Sequence, residues 1–367
     1  MHLYFHIPFC TRRCSYCDFA IAVRKVVPSE AYVAAVAREW AQWQQEPIWE
    51  QSPVVDTIYL GGGTPSLITP ESVSRLLEII ARDRQVAPDA EVTLEANPDD
   101  VTPTAARAWK AAGVNRISLG AQSFQPHVLE WMHRTHTAEQ VPRAAETLRA
   151  AGFDNLSVDL IFGLPAELGR NWESDLEQVL GLEPEHVSLY GLTLEPHTVL
   201  AHRIARGEPA QSDEDAYARE FLAAHQVLTG AGYRHYEVSN AARPGREARH
   251  NAAYWRRSPY IGMGPSAHSG FGNERRWNLR DWPAYERAVL AGCRPTEGRE
   301  VLERAAVELE DLYLGLRTSA GLPSRRIPVT RRQEWEAAGW AAGDNGSVRL
   351  SAEGWLRLDA LVRSLGS

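Results

Sequence analysis

The chain has 367 residues, 44% of them hydrophobic and 23% charged, with a formal net charge of −8 and a pI near 5.9. That balance belongs to a globular protein with room for one large domain and a smaller one, and it excludes general disorder. The acidic total also argues against duplex DNA or RNA as the main partner, because phosphate binding needs clustered cations; the densest basic stretch, Arg325 to Arg332, reads as a short solvated face.

No apolar run approaches the ~18 residues of a membrane span, so no integral membrane segment is expected. MHLYFHIPFC lacks the basic leader and long apolar region of a signal peptide. Three of the four cysteines, Cys10, Cys14 and Cys17, crowd together, and Cys293 has no evident partner. Thiols kept for metal rather than for disulfides point to a reducing compartment, and the cytoplasm is the expected location.

In chain order, six apolar runs rich in β-formers alternate with helical patterns. Strands are predicted over 3–7, 56–60, 91–96, 116–121, 156–162 and 186–192, and helices over 29–45, 70–84, 103–112, 138–151 and 171–180. Thr69 before Pro70 and Thr102 before Pro103 are helix-start signals, and Gly113 and Gly152 stand where helices stop. Strand, helix, strand repeated in this way is the pattern of a parallel sheet with right-handed crossovers, either an open doubly wound sheet or an incomplete barrel. In both, ligands sit at the carboxyl ends of the strands. The unusual residues gather there, in HIPFC, LGGGTPS, EANPDD, GAQSF and GLPAE.

After about Pro196 the rhythm changes. A long helix (213–230) leads into YRHYEVSN, and an irregular aromatic stretch follows from His250 to Asn278. From about Pro283 the pattern is helical, with a GDNG turn and a short strand near the end. The expected organisation is a partial barrel over 1–200, a connecting region over 201–282, and a mostly helical, winged-helix-like domain over 283–367.

CTRRCSYC places its cysteines in a C-x-x-x-C-x-x-C spacing directly after the first strand. Closed zinc sites take four ligands, normally in two pairs. The second pair is missing here, although His2 and His6 are near enough in sequence to keep zinc open. A [4Fe–4S] cluster on three thiolates leaves one iron free for a small-molecule chelate. The spacing resembles that of the radical S-adenosylmethionine (SAM) enzymes. That resemblance implies that Cys10, Cys14 and Cys17 hold a cluster, that the open iron takes the amino and carboxylate groups of SAM, that an electron from the cluster cleaves the sulfonium, and that Tyr16 flanks the adenine. LGGGTPS alone makes a tight turn as readily as a site; in that family the glycines let backbone carbonyls approach SAM. Glu95, Gln122 and Asp159 end three further strands, as solvated loop starts or as groups pointing into the same mouth. Arg134, taken by itself, reads as a surface arginine.

YFHIPFCTRRCSYCDF, LGGGTPS, LEANPDD, SLGAQSF, HRTH and VDLIFGLP follow in this order. Together they closely resemble the oxygen-independent coproporphyrinogen dehydrogenases (HemN) and their HemW relatives, over nearly the whole chain. The resemblance implies an α/β fold, an incomplete (β/α)6 barrel with a C-terminal helical domain. It also implies SAM contacts from Tyr4, Gly62, Gly63, Thr64, Glu95, Gln122, Arg134 and Asp159. The dehydrogenases carry a further cysteine two residues past the third, where this chain has Phe19, and an N-terminal extension ahead of a motif that here begins at Cys10. Both departures point to the HemW branch, which is described as heme chaperones. HNAAYW (His250 to Trp255) matches an H-N-x-x-Y-W signature of that branch, whose histidine is implicated in heme binding; a neutral imidazole ligates heme iron well and flanking aromatics suit the macrocycle. His235 and His268 are both candidate second ligands, and nothing in the sequence selects between them.

The expected function is therefore that of a heme chaperone carrying a SAM-ligated [4Fe–4S] cluster and passing heme to acceptor proteins, such as respiratory ones. The alternative is a dehydrogenase that oxidatively decarboxylates coproporphyrinogen propionates with a 5′-deoxyadenosyl radical. A third reading is another radical SAM reaction.

Overall fold

The structure, a computed structural model, describes residues 1–208, 212–344 and 346–365. Six parallel strands carry the first half of the chain: β1 (His2–Ile7), β2 (Val54–Gly62), β3 (Gln85–Ala96), β4 (Arg116–Gln122), β5 (Leu156–Phe162) and β6 (His186–Gly191). The main crossover helices are α1 (Ser29–Trp43), α2 (Pro70–Asp83), α3 (Pro103–Ala112), α4 (Gln140–Ala150) and α5 (Trp172–Gly181). Their starts follow the local chemistry. The hydroxyls of Thr69 and Thr102 accept from the N–H groups of Ser72 and Ala105, and proline takes the first helical position behind each. Gly113 ends α3 at φ +105°, a left-handed conformation that favours glycine.

The two faces of the parallel strands differ in chemistry. Leu3, Phe5, Ile58, Leu60, Leu94, Ile117, Val158 and Leu189 point to the helices and are buried in one continuous core. The alternate positions are polar on every strand. In register, Tyr4 lies beside Tyr59, Tyr59 beside Thr93, Glu95 beside Ser118, Ser118 beside Ser157, and Asp159 beside Ser188. An ordinary barrel fills this interior with branched aliphatics; here the chain lines it with acids, hydroxyls and phenols. The hydrogen bonds close among themselves, Ser118 to Asp159 at 3.0 Å and Tyr59 to Glu95 at 2.8 Å, as buried polar groups require.

The barrel does not close. A long helix, α6 (Glu214–Gly230), leads to strands β7 (Arg234–Glu237) and β8 (Asn240–Ala242), which pair antiparallel beyond β6, while β9 (Tyr260–Met263) pairs parallel with the outer edge of β1. Strands β10 (His268–Phe271), β11 (Glu274–Asn278) and β12 (Thr296–Val301) continue antiparallel from β9, so the twelve-stranded sheet runs β12-β11-β10-β9-β1-β2-β3-β4-β5-β6-β8-β7. The stretch read from sequence as irregular thus holds a short helix, α7 (Arg249–Trp255), and three strands. At four or five residues each, these strands are too short to display an alternation, and their pairing is set by neighbours far away in the chain.

The C-terminal part contains α8 (Trp282–Leu290), α9 (Arg304–Leu316) and α10 (Val329–Ala337), with a small antiparallel sheet of Leu322–Pro323, Ser347–Leu350 and Ala341–Asp344 in that order. It is tied to the large sheet by the ion pair of Arg317 with Glu237 at 3.0 Å and by the Trp355 ring against His235 of β7, 4.9 Å between centroids. No helix among the described residues is long and apolar enough to cross a membrane.

Candidate functional site

The loop after β1 carries the three cysteines and is fixed from several sides. The Ala22 N–H donates to the Pro8 carbonyl, that of Arg24 to the Cys10 carbonyl and that of Ser15 to the Met132 carbonyl, all at 2.7–3.0 Å. The His6 imidazole, buried and held neutral by that burial with its pKa lowered to about 4, donates from Nε2 to the Ala20 carbonyl at 2.9 Å. Arg280, reaching across from the end of the sheet extension, donates to the Asp18 carbonyl at 3.0 Å.

Beneath this loop, at the carboxyl ends of the strands, lies a pocket of about 480 Å³. Cys10, Cys14, Cys17, Tyr16, Gly62, Gly63, Thr64, Glu95, Gln122, Arg134 and Asp159 all line it, eleven of the thirteen positions singled out from sequence. They come from the ends of β1 to β5 and the loops that follow them, which is why distant motifs meet. The glycines have separate reasons. Gly62 adopts φ +118°, and a Cβ there would meet the His6 ring at 2.8 Å; a Cβ on Gly63 would lie 2.8 Å from the backbone of Pro8 and Phe9. Close approach of the second strand to the cysteine loop therefore demands glycine at 63.

The sulfurs are not left to themselves. The Thr64 hydroxyl and the Arg134 guanidinium donate to Cys10 Sγ and Cys14 Sγ, each at 3.4 Å. Arg134 also donates to Asn97 Oδ1 at 2.7 Å and to the Gly120 carbonyl at 3.0 Å, so it is a strut of the pocket and not a surface residue. Burial pushes the Cys10 thiol up to about 11 and raises that of Cys17, so these sulfurs hold protons until a metal replaces them.

Among the described residues, no three or more His, Cys, Asp and Glu side chains are gathered on one point as a single metal ion would require. His2 and His6, which kept zinc open, do not line the pocket; His2 is hydrogen-bonded to Thr57, and His6 to Ala20 and Tyr4. A [4Fe–4S] cube is held by thiolates spread around a space, with an uncommitted iron facing a ligand. Three thiols around one cavity, two of them with donors to sulfur, fit that group and not a closed zinc site.

Behind the cysteines, Glu95 accepts from the Tyr59 hydroxyl at 2.8 Å and from the Gly62 N–H at 3.0 Å. Burial, with nearby Asp159 adding to it, pushes its pKa up to about 7. Asp159 accepts from Ser118 through both oxygens, and burial raises its pKa too. Sequence reasoning missed Asn97, Ser118 and Tyr190, which also line the pocket. For Ser118 and Tyr190 the signal was the polar alternation within RISLGAQ and HVSLYG, read only as strand pattern; Asn97 stands in EANPDD, at a strand end.

Two predicted site residues lie elsewhere. Tyr4 lines an adjoining chamber, because its ring stacks on Tyr59 at 6.0 Å and turns to the β9 side. His250 is 1% exposed. Its Nδ1 is hydrogen-bonded to the Thr57 hydroxyl at 2.7 Å and its Nε2 to the Tyr254 hydroxyl at 2.8 Å. The physical reason is helical. Glu91 accepts from the N–H groups of Arg249 and His250 and anchors the start of α7, and the i, i+4 spacing then brings Tyr254 onto His250. Of the candidate second ligands, His235 is buried against Trp355 and hydrogen-bonded to His225 and the Val238 carbonyl, while His268 is exposed on the adjoining chamber.

Comparison with known proteins accounts for this architecture. The radical SAM superfamily matches residues 4–179. The heme chaperone HemW of Mycobacterium tuberculosis (strain CDC 1551 / Oshkosh) is 36% identical over 369 residues, covering 99% of this chain and 94% of its own. That of Lactococcus lactis subsp. lactis is 39% identical over 322 residues, covering 87% and 82%. Among solved structures, the coproporphyrinogen III oxidase HemN from Escherichia coli, a radical SAM enzyme, matches with a TM-score of 0.82 over 99% of this chain and 89% of its own, at 23% identity, a likeness of fold. Because identity above a third runs through nearly the full length of both chains, and not through the barrel alone, this chain belongs to the HemW family of the radical SAM superfamily.

Proposed function

We propose that the protein binds heme, carries a [4Fe–4S] cluster with SAM at its open iron, and passes heme to acceptor proteins in the cytoplasm, respiratory proteins among them. The observation that carries the reading is the near full-length similarity to relatives named heme chaperones. Cys10, Cys14 and Cys17 would hold the cluster, which supplies a single electron at an iron that SAM can reach. Tyr16 and Gln122 would face SAM, Gly62, Gly63 and Thr64 would border it, and Glu95 and Asp159 offer the acidic wall its sulfonium favours. Arg134 keeps the cysteine loop in register with β3 and β4. Phe19, 63% exposed, lines both this pocket and the adjoining chamber, which gives an apolar macrocycle a surface beside the cluster.

The test is anaerobic reconstitution followed by separate titrations with hemin and SAM, then mixing of the heme-loaded protein with an apo b-type acceptor. Stoichiometric heme binding and its loss to the acceptor are expected. An assay with coproporphyrinogen, SAM and a reductant should yield no protoporphyrinogen. Several turnovers of that product would replace the chaperone reading with the dehydrogenase one.

A further inference from the structure

The acidic wall of the cysteine pocket has a second layer behind it. Ser157 precedes Asp159 on the same face of β5, and His186 stands beside Ser157 in register on β6. Tyr236 reaches His186 from β7, with ring centroids 5.7 Å apart at an interplanar angle of 61°. Ser157, His186 and Tyr236 are buried, and none of the three lines the pocket.

Hydrogen bonds join them in one line. Ala248, the residue before α7, donates its N–H to the Tyr236 oxygen at 3.2 Å. That oxygen lies 2.9 Å from His186 Nε2, and His186 Nδ1 lies 2.8 Å from the Ser157 oxygen. Ser157 in turn donates to Asp159 Oδ1 at 3.3 Å.

The far end sets the direction of the whole line. A backbone N–H can only donate, so the Tyr236 oxygen accepts from Ala248. Among the described residues its other hydrogen-bond partner is His186 Nε2, and a buried hydroxyl proton without an acceptor is costly. Tyr236 therefore donates to Nε2. Burial, with Arg116 second, holds the His186 ring neutral, its pKa well below the ordinary value. A neutral ring whose Nε2 accepts carries its one proton on Nδ1, which donates to Ser157. The Ser157 proton is then left for Asp159, or for Ser188 at 3.4 Å, which is itself hydrogen-bonded to Asp159. Every donor in the line points toward the carboxylate, so their dipoles add.

The direction matters because two acids share the wall. Asp159 is faced by Glu95 of β3, Tyr59 of β2, Arg116 of β4, and His186 and Tyr190 of β6. Burial works against both carboxylates. Glu95 has one hydroxyl and one N–H to hold its charge, whereas Asp159 has Ser118 on both oxygens and the Ser157 line besides. That makes Asp159 the first of the pair to ionise.

We propose that His186 and Tyr236 are positioning residues of the SAM site, which commit the Ser157 proton to Asp159 so that a charged carboxylate, and not a carboxyl, meets SAM. The assignment rests on the SAM reading above. Because the line ends at Ala248, it also joins the start of α7 to the acidic wall.

Nitrogen-15 NMR of the anaerobically reconstituted full chain, labelled at histidine, tests it together with SAM titrations from pH 6 to pH 8. His186→Gln identifies the His186 signals by their loss. The parent ring should carry its proton on Nδ1. In Tyr236→Phe the form protonated on Nε2 should appear beside it, SAM affinity at pH 7 should fall about fivefold, and the affinity should level off at a higher pH than in the parent. Ser157→Ala leaves Tyr236 donating to the ring, so the tautomer should hold while the affinity falls by a similar factor. A parent ring protonated on Nε2 reverses the line and overturns the proposal, as does a parental affinity and pH profile in either variant. A parent protein that binds no SAM overturns the SAM reading and this role with it, whichever tautomer is seen.

Discussion

The cysteine pocket and the chamber beside it share a wall but are assembled by different parts of the chain. The pocket is made from the carboxyl ends of consecutive parallel strands, each supplying a short motif within a few residues of a strand end. The chamber is made from the far side of β1, from the antiparallel extension and from α9, with Phe19, Tyr254, His268, Arg280 and Glu310 brought together over nearly three hundred residues. A repeat can position a site by local rule; an edge extension has to be specified contact by contact. The pocket should thus depend on a few indispensable side chains, and the chamber on many struts that are each partly replaceable.

The largest effect expected is at the cysteines. Cys17→Ala should take the iron content of the anaerobically reconstituted protein from about four per chain to near zero, with its far-ultraviolet circular dichroism unchanged. Retention of a full cluster in that variant would show that the three sulfurs are not its holders.

The next effect separates two histidines of the second region. Replacing His250 by alanine strands the hydroxyls of Thr57 and Tyr254 and opens a hole among Tyr4, Tyr59 and Tyr254. The expected cost is about 2–4 kcal/mol in urea unfolding, against roughly 0.5 kcal/mol or less for His268→Ala. Acid should tell the same story. Burial lowers the His250 pKa to about 3, so below pH 6.5 the unfolded chain takes up a proton that the folded one refuses. Its contribution is complete above pH 6.5 and is lost as pH falls toward 3, by roughly 2 kcal/mol on reaching pH 5. A stability difference between parent and His250→Ala that did not shrink on acidification would argue that this imidazole is charged in the fold.

These differences also explain what could be read from the chain. The parallel strands and their helices were legible because apolar alternation and N-cap chemistry are local: TPESV and VTPTAA start helices where they should. The cysteine pocket was legible because its residues sit at strand ends that the repeat makes adjacent. Strand β12, TEGREV, was not, because an exposed edge strand carries charges in place of an apolar face. The environment of His250 was not legible either. HNAAYW has the residues of a ligand motif, and its burial depends on Thr57 and Glu91, more than a hundred and fifty residues away. Nothing within the motif shows that both nitrogens of its imidazole are hydrogen-bonded.

The smallest effect expected belongs to the shared wall. Glu95 faces both cavities, and burial first, then Asp159, brings its pKa up to about 7 against the restraint of Tyr59 and the Gly62 N–H. SAM brings a permanently charged sulfonium, and a cation beside Glu95 favours the ionised carboxylate. Below pH 7 the ligand must therefore displace a proton, and its affinity should rise by up to about tenfold per pH unit from pH 6 and level off above pH 7. Calorimetric titrations with SAM in buffers of different ionisation enthalpy should count a released proton at pH 6 and none at pH 8. Glu95→Gln should bind more weakly at pH 8 and lose most of the pH dependence. Stability should move in the opposite sense. A carboxyl whose folded pKa is raised binds its proton more tightly in the fold, so ionisation destabilises the protein as pH rises from 4.5 to 7, and the glutamine variant should be no less stable than the parent at pH 8. Affinity lost with stability kept marks a ligand contact, whereas His250→Ala should lose stability first. A Glu95→Gln protein that keeps the parental affinity and pH profile would place the acidic wall outside the SAM site.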